Sequence, residues 1–342
     1  MTALRRCIQK TIASGHRCVH ATVSVQPQEQ VSFDSVATAI TPAHRQALLE
    51  KGYTVIDGVF NAATCQTFRY EILSLRDQSL LHLNSTHLVK GNSTRLLPKH
   101  GIYEAEVADK AIQGAAPVIA AFQRDRTLLT MLSLYLPSLP LHQQLIKVQL
   151  NKGDGSCFPL HYDSDESVDS RRLTAILYLN PDWREGDGGE LQLYPWPHAP
   201  VTVAPLHNRL LIFSTCRMLH RVLPSRRERL CFTTWMSVLK PRAAPPSLSQ
   251  IHQKSQSGAL AADALLAEVE VRKALAMLDF REEWQRSLQQ SHRAEAGSRA
   301  LLDDFEAKAG VMQQALEALG VRDRQEARQR AAGLCMGGSA WL

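Results

Sequence analysis

Between Ile146 and Leu239 the chain breaks into short runs, several alternating apolar with polar residues and most separated by glycine, proline or asparagine turns. A period of two is strand geometry, because successive side chains on a strand point to opposite faces. The runs are Ile146–Asn151, Leu173–Asn180, Glu190–Tyr194, Val201–Val203, Arg209–Phe213, His220–Leu223 and Leu230–Leu239. Strands this short and this closely spaced predict a sandwich or barrel, and a double-sheet jelly roll (a double-stranded β-helix) fits.

The flanks have a different period. Thr41-Pro42 supplies a cap and a first-turn proline for a helix that Gly52 stops, and Tyr53–Asp57 then alternates as a strand. Asn61 caps a further helix whose apolar positions include Cys65, Phe68, Ile72 and Leu75. Ala111–Leu136 is helical in pattern and ends before Pro137. Helices that precede the β region predict an α+β domain, residues 41–240 with a core at 146–240, in which N-terminal helices buttress one sheet. Asn84–Gly101 is rich in Asn, Ser, Thr, His and Lys without a clear period and reads as a long loop, either a lid over a binding site or a plain surface segment. Past the proline-rich break Lys240–Pro246, the stretch Ser257–Ala332 is rich in Ala, Leu, Glu, Arg and Gln and has no proline. It predicts two or three helices, separated near Gly297, Gly310 and Gly320, within an α-helical extension at 248–334. Its balanced charge excludes a nucleic-acid arm; packing back on the β domain, or a partner or dimer contact, is its expected use.

Bulk properties narrow the setting. A chain of 342 residues, 44% hydrophobic and 21% charged, accommodates one such domain and an appendage. A formal charge of +6 permits anionic partners without requiring them. The seven cysteines (Cys7, Cys18, Cys65, Cys157, Cys216, Cys231 and Cys335) contain no C-x-x-C pair and are odd in number, which argues against a zinc site or disulfide framework and for a reducing compartment. No apolar run approaches the ~18 residues of a membrane span, so no membrane partner is expected. Met1–Gln28 has no acidic residue but carries Arg5, Arg6, Lys10 and Arg17, and Leu4, Ile8 and Ile12 recur four apart. An acid-free basic leader of this kind resembles a mitochondrial transit peptide, so residues 1–28 are expected to target the mitochondrion; the alternative is a disordered tail on a cytoplasmic protein.

Within the β region, His161-Tyr162-Asp163 is followed far downstream by His220. Two imidazoles and one carboxylate on a single face of an iron(II) ion leave three coordination positions open. Residues two apart on a strand share a side, so H-x-D at a strand end can aim both ligands at one ion while a distant strand supplies the third. Alone the pattern is weak, since H-x-D also occurs in surface turns and a distal histidine also serves structural roles. Its neighbours strengthen it. Arg229 lies nine residues after His220, beyond the Pro224–Glu228 turn. It is either the end of an exposed basic run with Arg226 and Arg227 or, since an apolar strand follows it, an inward-facing bidentate donor for a carboxylate. Gly153-Asp154-Gly155-Ser156 marks a tight loop leading into the ligand strand, and Gly188-Gly189-Glu190-Leu191 suits a close backbone approach.

The order H-x-D, Leu177-Tyr178-Leu179-Asn180, Asp182-Trp183, Gly-Gly-Glu-Leu, Asn208–Phe213, His220-x-Val222-x-Pro224 and Arg229 resembles the catalytic domain of the prolyl 4-hydroxylase group of iron(II)- and 2-oxoglutarate-dependent dioxygenases, above all the oxygen-sensing prolyl hydroxylases and their protist and microbial relatives. The likeness covers roughly Tyr53 to Leu239. It implies that His161, Asp163 and His220 hold Fe(2+) and that Arg229 binds the far carboxylate of 2-oxoglutarate. Tyr178 matches a tyrosine that assists that arginine, or it is simply a core aromatic; Thr233, in pocket-facing register, adds a hydrogen bond. Asn151 departs from the resemblance, standing where relatives place a tyrosine. The implied reaction consumes O2 and 2-oxoglutarate, releases succinate and CO2 and hydroxylates an acceptor, with ascorbate keeping the iron ferrous. An aspartate at 163 favours hydroxylation over halogenation, which needs that coordination site. The expected partner is a protein or peptide substrate carrying a proline. Arg217, Arg221, Arg226 and Arg227 around the distal ligand either favour an acidic substrate or form a solvated basic edge. A nucleic-acid dealkylase of the same superfamily would carry a second arginine soon after Arg229, and none occurs before Arg242, so no nucleic acid is expected. The same residues would also suit a small-molecule hydroxylase of that superfamily, or a catalytically inactive scaffold that binds partners.

Overall fold

The computed structural model describes residues 31–90, 93–239, 243, 245–256, 261–293, 295–334 and 341–342. The basic leader at 1–28 lies outside the described residues. Ser32–Leu342 forms one compact unit. Among the described residues no helix is long and apolar enough to cross a membrane.

Among the described residues, eleven strands make two antiparallel sheets. They are β1 (Tyr53–Asp57), β2 (His82–Lys90), β3 (Ser93–Glu106), β4 (Leu141–Asn151), β5 (Ser156–His161), β6 (Arg171–Tyr178), β7 (Leu191–Tyr194), β8 (Val201–Val203), β9 (Arg209–Ser214), β10 (Leu219–Ser225) and β11 (Arg229–Val238). The larger sheet runs β1-β9-β6-β11-β4-β3-β2 and the smaller β5-β10-β7-β8. Every strand of the predicted period-two region is present within a few residues of its expected bounds, in the expected α+β jelly-roll arrangement.

The larger sheet has two chemically distinct faces, and β11 shows why. Its even positions Leu230, Phe232, Thr234, Met236 and Val238 are buried, and Phe232 packs edge-on against Phe68 at 5.2 Å. Phe68 belongs to α3 (Ala62–Asp77), which follows α1 (Ser35–Ala39) and α2 (Pro42–Lys51). The Asn61 side chain accepts from the Thr64 amide and caps α3, and Cys65, Phe68, Ile72 and Leu75 are its buried stripe, as expected. Phe33, Phe60 and Phe122 complete an aromatic cluster around Phe68. The stretch expected as one helical region before Pro137 is three short helices, α4 (Lys110–Ala115), α5 (Pro117–Arg124) and α6 (Thr127–Tyr135). Glu71 of α3 accepts the Val118 and Ile119 amides at the start of α5, tying two buttressing helices together. With the even residues held by this apolar layer, the odd residues Arg229, Cys231, Thr233 and Trp235 face the other way, into the space between the sheets; a register slip of one would exchange the two sets.

Two expectations are corrected. The described parts of Asn84–Gly101 are not a loop but strand, Asn84–Lys90 in β2 and Ser93–Gly101 in β3, paired antiparallel; residues 91–92 lie outside the described residues. The period of two in this hairpin was masked because the buried face mixes polar with apolar residues: Asn84, Lys99 and Glu104 are buried and hydrogen-bonded to one another. Leu88 and Leu97, on the same face as Asn84 and Lys99, pack against Leu288, Leu301 and Phe305 of the C-terminal helices. After α7 (Leu248–Gln256), the stretch expected to hold two or three helices holds five among the described residues: α8 (Ala262–Ala267), α9 (Val269–Asp279), α10 (Arg281–Ser291), α11 (Glu295–Ala318) and α12 (Arg324–Gly333). Gly297 and Gly310 lie inside α11, where helical φ suits them, and only Gly320 ends a helix, at φ 82°. The breaks fall at Glu268, Phe280 and His292, where Leu265–Leu266, Leu275–Leu278 and Leu288 turn to meet Leu160, Tyr194, Trp196 and Leu219 of the smaller sheet and Leu88 and Leu97 of the hairpin.

Phe68→Ala should lower unfolding free energy by about 3–5 kcal/mol, the cost of emptying a well-packed aromatic site. Urea unfolding followed by fluorescence measures it, and a loss below about 1 kcal/mol would show that the cluster does not hold β11 in place.

Candidate metal centre

His161 ends β5 and His220 is the second residue of β10, and the antiparallel register makes them direct cross-strand partners. Strand pairing therefore brings together two residues far apart in sequence, with ring centroids 4.4 Å apart. Asp163 lies just past the end of β5 and turns its Oδ1 to both rings, 3.4 Å from His161 Nε2 and 3.5 Å from His220 Nε2. One ligand atom from each of the three lies within 4.8 Å of the others.

The hydrogen bonds around the triad fix which atoms face inward. His161 Nδ1 donates to the Pro159 carbonyl at 2.8 Å and His220 Nδ1 to the Met218 carbonyl at 3.0 Å. A neutral imidazole protonated on Nδ1 leaves the Nε2 lone pair available, which is the tautomer a metal requires. Asp163 Oδ2 is held from the other side by Thr174 Oγ1 at 2.7 Å and Trp235 Nε1 at 3.2 Å. Burial works against the Asp163 charge, but in the metal-free site protons on the His220 and His161 rings, which a metal would displace, outweigh it and hold the carboxyl well below its ordinary range. Burial, with the neighbouring His220, lowers the His161 pKa. Anionic carboxylate and neutral imidazoles are the protonation states that bind a divalent cation. The donor set of two nitrogens and one oxygen fits iron(II).

These residues line a cavity of about 450 Å³ between the sheets, and Arg229 lines it too. Arg229 is 2% exposed, so it is not part of a solvated basic run. Its Nε donates to the Gly189 carbonyl at 2.8 Å and Nη1 to Cys231 Sγ at 3.3 Å. Gly188 and Gly189 have φ of 75° and 77°, and a Cβ on Gly189 would lie 2.9 Å from Arg229 Cδ. The glycine pair is thus what allows the backbone to reach the guanidinium. Among the described residues no carboxylate pairs with Arg229, leaving a buried charge that an anionic ligand would neutralise.

The remaining expected residues sort themselves. Thr233 lines the cavity. Tyr178 is fully buried, its ring 5.0 Å from the Arg229 guanidinium carbon, and its hydroxyl has no hydrogen-bond partner among the described residues. Asn151 is the cross-strand partner of Arg229, and neither atom of its buried amide has a partner there. A cationic guanidinium ringed by an unpaired phenol and an unpaired amide fits a carboxylate ligand. Arg221 proves to be structural: it is 2% exposed and binds Glu283 and Gln290 of α10. Arg217 likewise pairs with Glu166 at 2.7 Å, so neither belongs to a substrate-facing basic edge. The motif residues Asn180, Trp183 and Asn208 brace backbone, through Leu230, Gly188 and Phe60 respectively. Thr174 and Trp235 were not singled out from the sequence, although parity with Tyr178 on β6 and Arg229 on β11 gives their direction.

Comparison with known proteins agrees with this geometry. Residues 146–237 match the model of the 2OG-Fe(II) oxygenase superfamily. Egl nine homolog 1 of Rattus norvegicus is 36% identical over 86 residues, 24% of this chain and 25% of that protein; the Homo sapiens form has the same identity over 20% of its length. The match thus spans only about a quarter of those relatives. Among solved structures, a prolyl 4-hydroxylase from Phytophthora capsici superposes with a TM-score of 0.69 and 29% identity over 88% of this chain and 95% of that one. A Trichoplax adhaerens prolyl hydroxylase, solved with a hypoxia inducible factor peptide fragment, superposes at 0.51 and 21% identity over 62% and 93%, which bears on fold alone.

Thr174→Val should weaken Mn(II) binding about 10–100-fold, as removal of a group that orients a ligating carboxylate does. A calorimetric titration at pH 7 that returned the unaltered dissociation constant would show that Thr174 does not orient Asp163.

Proposed function

We propose that this prolyl 4-hydroxylase-like member of the 2OG-Fe(II) oxygenase superfamily is an active dioxygenase that hydroxylates a prolyl residue in a protein or peptide. The observation that carries the reading is a buried guanidinium, Arg229, without a carboxylate partner among the described residues, lining one cavity with a His-Asp-His triad whose free nitrogens converge. A metal site alone would serve many reactions. A metal site beside a buried, unneutralised arginine calls for an anionic cosubstrate.

With iron(II), 2-oxoglutarate and O2 bound, the centre supplies the chemistry: 2-oxoglutarate loses CO2 and becomes succinate, one oxygen atom entering the succinate and the other a C–H bond of the acceptor. The chain's own residues hold, orient and shield. His161 Nε2, His220 Nε2 and Asp163 Oδ1 would hold the metal. Thr174 and Trp235 fix the carboxylate so that Oδ1 is the ligating oxygen. Arg229 would take the far carboxylate of 2-oxoglutarate, with the Tyr178 hydroxyl and Thr233 beside it on the same strand faces. Phe158, Trp235 and Trp284 line the cavity and exclude water from the reacting atoms. Ascorbate is proposed as the reductant that keeps the iron ferrous.

The prolyl assignment is supported by the 29% identity to the Phytophthora capsici prolyl 4-hydroxylase over nearly all of that chain. A peptide acceptor also suits the size of the site, a cavity of about 450 Å³ walled in part by the β2–β3 hairpin and α10. Purified protein supplied with iron(II), ascorbate and 2-oxoglutarate should form succinate, and proline-containing peptides should gain one oxygen atom by mass spectrometry. Arg229→Ala should raise the 2-oxoglutarate requirement about 100-fold, the scale expected when one partner of a buried charge pair is removed, while Mn(II) affinity stays put. An unaltered requirement removes Arg229 from the cosubstrate site. His220→Ala should abolish succinate formation, and retention of full activity would remove His220 from the metal.

A further inference from the structure

The cavity holds a second buried cation that neither the metal nor the cosubstrate uses. At the corner where β3 meets β5, Lys99 is 8% exposed and lines the same cavity as His161 and Arg229. Its ammonium lies 5.2 Å from the centre of the Phe158 ring, and that ring stacks on His161 with centroids 6.1 Å apart. Phe158 thus contacts both Lys99 and a proposed metal ligand.

The neighbouring cations Lys147 and Arg171 hold direct carboxylate partners, and among the described residues Lys99 holds none. Lys147 is paired with Glu104 and Glu106, each at 3.0 Å. Arg171 is paired with Asp169 at 2.6 Å and lies over the Trp235 ring. Glu104, the acid nearest to Lys99 in this network, is engaged by Lys147 and by the Asn84 amide. Lys99 itself donates to the Asn84 carbonyl oxygen, and among the described residues it has no carboxylate within 4.0 Å. An ammonium has three protons to donate, so capacity remains. Burial pushes its pKa down to about 8, with Glu104 opposing the shift and Lys147 adding to it. A cation that costs this much to bury, facing a cavity, calls for an anion from outside.

2-Oxoglutarate has two carboxylates: the proposed reading gives the far one to Arg229, and the other, beside the keto group, would go to the metal. The anion that Lys99 awaits then comes from the acceptor. We propose that Lys99 is a specificity-determining site for a side-chain carboxylate, so that the acceptor is a peptide segment with an aspartate or glutamate next to the residue that is hydroxylated. This rests on the reading of the cavity as a 2-oxoglutarate oxygenase site that admits a peptide.

The test uses the full chain loaded with Mn(II) and 2-oxoglutarate, which binds without turning over. The probes are short peptides with a central proline, each flanking position carrying in turn Asp, Asn, Glu, Gln or Lys, and a matched set with a central alanine. At one or two adjoining positions the acids should bind about tenfold tighter than their amides, as expected for a desolvated charge pair. Lys99→Met should erase that difference and Lys99→Arg should keep it. The wild-type preference, and its retention in Lys99→Arg, do not depend on the methionine variant folding. Absence of binding, binding without acid preference, or a preference that survives Lys99→Met overturns the proposal. So does a rise of more than about fivefold in the 2-oxoglutarate dissociation constant of Lys99→Met, which would give the lysine to the cosubstrate. With iron(II) in place of Mn(II), bound acidic peptides that gain no oxygen at proline would sink the prolyl reading while leaving the carboxylate site standing.

Discussion

The pairing of β5 with β10 is the interaction on which the rest depends. It sets His161 directly across from His220, and two imidazoles on adjacent strands are already near the spacing that one ion requires. Both strands belong to the smaller sheet, and both histidines are locked by hydrogen bonds to carbonyls two residues earlier in the chain. The metal site is thus made of ordinary strand geometry, and only Asp163 has to be steered. Its steering comes from the larger sheet, through Thr174 on β6 and Trp235 on β11. The centre forms only when the two sheets close on each other, so metal affinity reports the closure of the sandwich as much as the identity of three ligands.

Parity explains what the sequence made legible. Once Arg229 faces inward, every second residue of β11 does, and Thr233 and Trp235 follow; the same rule carries Tyr178 to Thr174 on β6. The ligands, the arginine and the jelly-roll strands could be read because alternation between an apolar outer face and a cavity-facing inner face leaves a regular trace. Asn180, Trp183 and Asn208 stood out in the sequence for a different reason. They serve backbone groups, closing turns whose donors and acceptors would otherwise be buried unpaired.

Where the trace fails, the cause is also physical. The β2–β3 hairpin buries Asn84, Lys99 and Glu104 alongside Leu88 and Leu97, so part of its buried face looks like surface and the segment reads as a loop. Its strands are held by pairing and by contacts with helices two hundred residues further on, such as His292 to Thr86 at 2.9 Å, and no local pattern encodes that. The C-terminal helices fail in the opposite sense. Their composition announces helix throughout, but the breaks are imposed by the surface they cover, while glycines such as Gly310 sit in mid-helix.

The helical region then has a consequence for the site. The Ser287 hydroxyl of α10 accepts the Leu160 amide at 2.9 Å, which occupies a donor on the outer edge of β5, the strand that ends at His161. On the same helix, Glu283 and Gln290 clamp Arg221, the residue after His220, while Trp284 and Leu288 reach the cavity itself. One helix thus braces the strands of both candidate histidine ligands and walls part of the cavity. The hairpin that carries Lys99 rests on Leu288, Leu301 and Phe305 of the same region. A region that touches both strands and lines the same cavity ties the cavity wall to the rigidity of the candidate metal centre, because a change in how α10 or α11 packs moves the wall and those strands together.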